Sequence, residues 1–239
     1  MSRIFAGLAV LAGLCLGVAC EPEPAPEREL VQASREVTFG DIANLGPHRL
    51  EASIHRVLVA NGAREDLAPE QVQLVWRDWD NFQLARRRGG AIISQVLVED
   101  GSARVRKADG RLVSASDVEP HRVELRMAWD VWKLGLSVFG GLMTLEHQGD
   151  GQLDGRTASH YVVSLAPEGE RERGRVVADS LEGSLWIDEA TAVRLMAEVQ
   201  GSWHRVGQEN VINEVRVILV RTDFGLGESP GGWGSQANE

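Results

Sequence analysis

After residue 48 the chain alternates apolar and polar positions with a period of two, the signature of half-buried β-strands. Leu50, Ala52, Ile54 and Leu58 share one face of such a strand, with Arg56 the exception. Val72, Leu74 and Trp76 repeat the pattern. Residues 78–81 then supply turn formers before Phe82 and Leu84 resume it. Ile92, Ser94, Val96 and Val98 lead into Glu99-Asp100-Gly101-Ser102, a strong hairpin signal. Asp109-Gly110 predicts a second tight turn, between strands at 103–107 and 111–114. The first half therefore predicts a meander of short antiparallel strands.

The period then changes. Ser116-Asp117-Val118-Glu119 fits a capping box, and Pro120 suits a first helical turn one step later. Val123, Met127, Val131, Leu134, Val138 and Leu142 recur at three- and four-residue spacing, widened by Trp129, Trp132, Leu136 and Phe139. Arg126, Asp130 and Lys133 interrupt this run, so it predicts a buried helix rather than a membrane span, with Gly140-Gly141 ending or kinking it. Strands return at 143–147, 156–166, 180–188, 193–205 and 210–221, with a charged loop over 167–175 and a tight turn at 188–191. Residues 225–239 are glycine-rich and aperiodic. With no internal repeat or boundary over 35–224, one domain is the economical reading.

The amino terminus has a different logic. Arg3 supplies a positive charge, and residues 4–18 carry no charged or strongly polar side chain. That run is shorter than the ~20 residues a mature transmembrane helix needs, and it has the layout of a secretory signal over residues 1–19. Its exit, Leu16-Gly17-Val18-Ala19-Cys20, resembles the lipobox of bacterial lipoproteins, in which small residues precede a cysteine that is lipidated. Leu16 stands four before the cysteine where the family usually has its leucine at three. Ordinary cleavage after Ala19 is the competing reading. An acylated Cys20 would anchor the chain firmly, since each buried methylene contributes about 0.8 kcal/mol. Residues 20–34 then read as anchor site and spacer. The alternating prolines and glutamates of 21–27 predict neither helix nor sheet there. Glu21 is not the aspartate usually linked to inner-membrane retention, so the resemblance implies the outer membrane of a Gram-negative envelope.

Composition narrows the partners. In 239 residues there are 25 Lys+Arg against 35 Asp+Glu, a formal net charge of −10, which argues against nucleic acid. Cys15 and Cys20 are the only cysteines, so the body has no disulfide framework and no thiolate metal site.

Two stretches carry a further resemblance. Leu181-Glu182-Gly183-Ser184-Leu185-Trp186-Ile187-Asp188-Glu189-Ala190-Thr191 is followed by Arg194-Leu195, and Asp154-Gly155-Arg156 leads into His160-Tyr161-Val162-Val163. With the order of strands, central helix and more strands, these resemble the LolA-like lipoprotein carriers and their LolB- and RseB-type relatives. The resemblance implies an α+β fold: an open antiparallel β half-barrel with a central helical stretch covering its concave face. It implies no catalytic residues and no cofactor. It also implies a dry concave site for acyl chains or another hydrophobic ligand, for which Trp76, Phe82, Trp129, Trp132 and Trp186 are the candidate lining. The same stripe serves equally as plain core. The alternative function is an envelope module that holds a protein partner and has no ligand cavity.

Other sites are weaker. The segment 150–155 resembles half a calcium loop, but the twelfth position of an EF-hand would be Tyr161, so a turn between strands is expected. The six histidines (His48, His55, His121, His147, His160 and His204) show no metal-ligand spacing, and no nucleophile elbow, P-loop or dinucleotide fingerprint occurs. Arg86-Arg87-Arg88 is the one basic cluster. It suits phosphate head groups or an acidic partner, or merely keeps a hairpin end soluble.

Overall fold

The computed structural model describes residues 26–225 apart from positions 108 and 130. The expected signal segment, Cys20 and residues 226–239 lie outside this range. Two helices lead in, α1 (Pro26–Glu36) and α2 (Phe39–Ala43). The proline pattern predicts no helix through Glu27, yet α1 begins at Pro26. A proline in the first helical turn forfeits no hydrogen bond, and Leu30 and Val31 then pack against the core. Thr38 caps α2 reciprocally. Its Oγ1 accepts the Asp41 N–H at 3.3 Å, and Asp41 Oδ2 accepts the Thr38 N–H at 2.7 Å.

Twelve strands follow. The first six are β1 (His48–Ala60), β2 (Ala63–Asp78), β3 (Asn81–Arg88), β4 (Ala91–Glu99), β5 (Ser102–Arg106) and β6 (Leu112–Ser114). After the helices α3 (Glu119–Trp129) and α4 (Val131–Leu136) come β7 (Met143–Leu153), β8 (Arg156–Leu165), β9 (Glu172–Arg173), β10 (Val176–Asp188), β11 (Arg194–Arg205) and β12 (Val211–Thr222). They form one antiparallel sheet in the order β6-β5-β4-β3-β2-β1-β12-β11-β10-β8-β7, with β9 beside β10. β6 and β7 are its two edges, so the sheet stays open. Pairing β1 with β12 joins the two halves of the chain in continuous register, from Arg49 opposite Thr222 to Ala60 opposite Val211.

Strand parity assigns the faces. Leu50, Ala52 and Ile54 of β1 lie level with Leu74 and Val72 of β2 and with Leu219 and Val217 of β12; all are buried. The row continues through Val199 of β11 and Leu185 and Ile187 of β10. This is the inner, concave side. The periodicity located these strands well but shortened β2 and β7. The segment 150–155 is strand as far as Leu153, and only Asp154 and Gly155 make the turn.

The two stretches that carry the family resemblance meet in space. Arg156, entering β8, donates from Nε to Asp188 Oδ1 at 2.8 Å and from its second nitrogen to Oδ2 at 2.9 Å. Thr191 closes the β10–β11 turn on the same carboxylate, through its hydroxyl at 2.6 Å and its N–H at 2.9 Å. Burial opposes the charge on Asp188, but these four hydrogen bonds outweigh it and hold the carboxyl below its usual range. The arginine also lies 5.1 Å over the Phe224 ring, so one residue ties two hairpin ends to the end of β12.

The middle segment departs from expectation in two ways. Asp117, not Ser116, caps α3, accepting the Glu119 N–H at 3.0 Å, while the Glu119 carboxylate pairs with Arg122. The buried stripe is Leu125, Ala128, Trp129, Val131, Leu136, Phe139 and Leu142, whereas Val123 is 46% and Met127 62% exposed. Both sets have helical spacing. The aromatic set wins because Trp129 and Phe139 offer more area to bury than a valine and a methionine do.

Candidate functional site

α3 and α4 lie across the inner face of the sheet, and small residues let them settle there. A Cβ on Gly135 would fall well inside contact distance of Val217 Cγ2, and 3.8 Å from Ile54 Cγ2. Beyond α4, the Phe139 ring sits on β11, where a Cβ on Gly201 would come within 2.8 Å of it. Glycine at these points is a matter of space. The helix backbone rests directly on β12, and a phenylalanine fills the hollow over β11.

Aromatic rings close the end of the trough at which the chain enters β1. Trp76 lies 4.5 Å from Trp129 and 6.4 Å from Phe82, centroid to centroid. Phe39 meets Trp129 edge-on at 4.2 Å, and Trp79 meets Trp76 edge-on at 5.4 Å. The Arg126 guanidinium lies 5.2 Å over Trp79. Under this cluster His48 is fully buried. Its Nδ1–H donates to Gly46 O at 2.8 Å, leaving Nε2 as a bare acceptor. Burial, with the nearby Arg221 charge, lowers its pKa to about 4.

The other end of the trough is charged. Glu70 accepts from Arg56 and from Arg88, each at 3.2 Å, and Arg86 reaches Glu124 of α3 at 3.6 Å. At the aromatic end Arg122 of α3 pairs with Asp80 and donates to the Trp79 carbonyl at 3.3 Å. These partly exposed pairs latch α3 to the sheet weakly, at about 0–1 kcal/mol each. The arginine cluster is thus divided by strand parity: Arg86 and Arg88 turn inward to these carboxylates, and Arg87 turns outward.

Of the candidate lining residues, Trp76, Phe82 and Trp129 stand buried on the inner side, with Phe82 and Trp129 each against Trp76. The Trp132 side chain lies outside the described residues. Trp186 does not belong to the set. Leu185 and Ile187 face inward, so period two turns Trp186 to the outer face, where it stacks on His160 at 4.6 Å. Sequence reasoning missed Phe39, Trp79, Gly135 and Gly201. The first two fall outside any periodic run, and a glycine's spatial role leaves no local signal.

No family model and no curated protein matches the chain in sequence. Several solved structures align with the chain at low identity and low TM-score. MucB is 14% identical with a TM-score of 0.30, over 85% of this chain and 60% of its own. The Mycobacterium tuberculosis lipoprotein LppX is 12% identical at 0.27, over 81% and 91%. A LolA superfamily protein from Nitrosomonas europaea is 12% identical at 0.26, over 85% and 94%. At these TM-scores the likenesses carry no argument about ligand, partner or family.

Proposed function

We propose that this chain is a non-enzymatic lipoprotein of the bacterial envelope, anchored in the outer membrane through an acylated Cys20, that binds acyl chains or another hydrophobic ligand in its trough. The observation that carries the reading is the cover on the dry inner face. It is not a second sheet but the two helices α3 and α4, seated by close packing and latched by weak ion pairs. Trp76, Phe82 and Trp129 fill the aromatic end of the trough, so a ligand enters by displacing α3 and α4 and takes over the apolar surface they cover. Six residue steps of sequence separate Cys20 from the start of α1 at Pro26.

Extracting the purified full chain for mass spectrometry and titrating it with a fluorescent fatty acid tests this. Bound lipid and saturable uptake of the probe are expected. Absence of both overturns the ligand reading. Exposure of Val123 and Met127 on the outward side of α3 favours the second reading, in which the cover itself meets a protein partner. Under that reading, Met127→Glu abolishes partner binding and the fatty-acid probe never binds.

A further inference from the structure

The outer face of β3–β6 holds a separate hollow, on the opposite side of the sheet from the trough. It encloses about 240 Å³ between Gln83, Gln95, Leu97, Arg104, Arg106 and Leu112. Its floor is apolar, from Ala85 and Leu97, while its walls carry amides and guanidinium groups. Arg104 is engaged by Glu99 at the rim. Arg106 is not engaged. Its Nε–H is buried, with no acceptor among the described residues. Gln83 Oε1, on the opposite wall, is a buried acceptor with no donor. Buried groups of this kind are costly when left without a partner, so a donor and an acceptor on one hollow point to a ligand that satisfies both.

The chemistry of that ligand follows from the set. The Arg106 guanidinium calls for an anionic acceptor, best a planar carboxylate. Gln83 Oε1 calls for a hydroxyl donor. Leu97, Ala85 and Leu112 call for a short apolar body. Gln83 of β3 lies level with Leu97 and Arg104, and Arg106 stands two residues further along β5, roughly 12 Å away at ~4.8 Å per strand and ~3.4 Å per residue, so one small molecule can reach both side chains. The larger hollow across β1, β12 and β11 lacks this signature, because Arg64 already pairs with Glu214 at 3.0 Å and Gln200 with Glu182 at 2.6 Å.

We propose that the hollow on β3–β6 is a binding site for a small hydroxycarboxylic acid, its carboxylate on Arg106 and its hydroxyl on Gln83. Calorimetric titration of the full chain, held in detergent micelles, with 3-hydroxyhexanoate tests it. Hexanoate serves as the probe without a hydroxyl, and inorganic phosphate as the anion without an apolar body. Saturable binding of the hydroxy acid is expected, weakened at least tenfold by Arg106→Gln and blocked by Leu112→Trp, which fills the hollow from a short, exposed edge strand. Hexanoate should bind several-fold more weakly, and phosphate should not compete. Thermal melts matching wild type would show that both variants fold. No binding to the wild-type chain, equal binding in folded variants, or displacement by phosphate at matching concentration overturns the assignment.

Discussion

Gly135→Ala asks whether α4 is seated on the sheet as tightly as its geometry says. The added methyl lands against Val217 Cγ2, well inside the ~3.5 Å at which two carbons begin to repel, and 3.6 Å from Val217 Cβ. Val217 is fully buried in β12, and its branched side chain has little rotamer freedom there, so the strain has no cheap exit. Overpacking of this kind costs about 1–3 kcal/mol. Against it stands the intrinsic helix preference of alanine over glycine, about 1 kcal/mol in the stabilising direction. At so close an approach the upper end applies, and the net change is a loss of about 2 kcal/mol. Urea unfolding followed by circular dichroism measures it. Val217→Ala removes the opposing methyl, so the double variant should recover part of the loss, giving a coupling energy of about 1 kcal/mol or more. An alanine variant as stable as wild type, or more so, would refute the reasoning, because helix preference would then act alone.

Three further outcomes follow from the same geometry. His48, held neutral with a pKa near 4 against an ordinary 6.5, gives stability that is fully present above pH 6.5 and lost as pH falls toward 4. That gap amounts to about 3 kcal/mol, because the unfolded chain takes up its proton first. Urea midpoints at pH 7 and pH 4.5 should show a smaller difference in His48→Gln than in wild type; an equal difference in both would assign the effect elsewhere. Asp188→Ala strands Arg156 and opens the β10–β11 turn, at a cost of about 3–5 kcal/mol visible as a lowered melting temperature. Trp186→Ala, on the outer face, should leave fatty-acid uptake unchanged, and loss of uptake would return that residue to the trough.

The β architecture was legible because one dry face forces a period of two, and turns such as Asp100-Gly101, both at positive φ, are written in the few residues that tolerate them. The Arg156–Asp188–Thr191 knot was legible only as two separate motifs; the arginine and the aspartate stand 32 positions apart. The helical cover was half legible. Its spacing fits two stripes, and choosing between them requires knowing that Trp129 of α3 packs on Trp76 on the sheet's inner face. Trp186 misled because size and aromaticity suggest a lining residue, whereas its position between Leu185 and Ile187 already sends it outward. The hollow on β3–β6 left no local signal, since its walls come from strands that register alone aligns.

The central claim is that an apolar ligand binds between α3–α4 and the inner face of the sheet. A Gly135→Cys, Val217→Cys pair tests it most directly, because a Cβ at 135 would stand 3.6 Å from Val217 Cβ, within the ~3.5–4.5 Å span of a disulfide. The measurement is fluorescent fatty-acid binding by the full chain carrying this pair, oxidised and then reduced. The account predicts loss of binding when α4 is locked to β12 and its return on reduction. Undiminished binding in the locked form would contradict it.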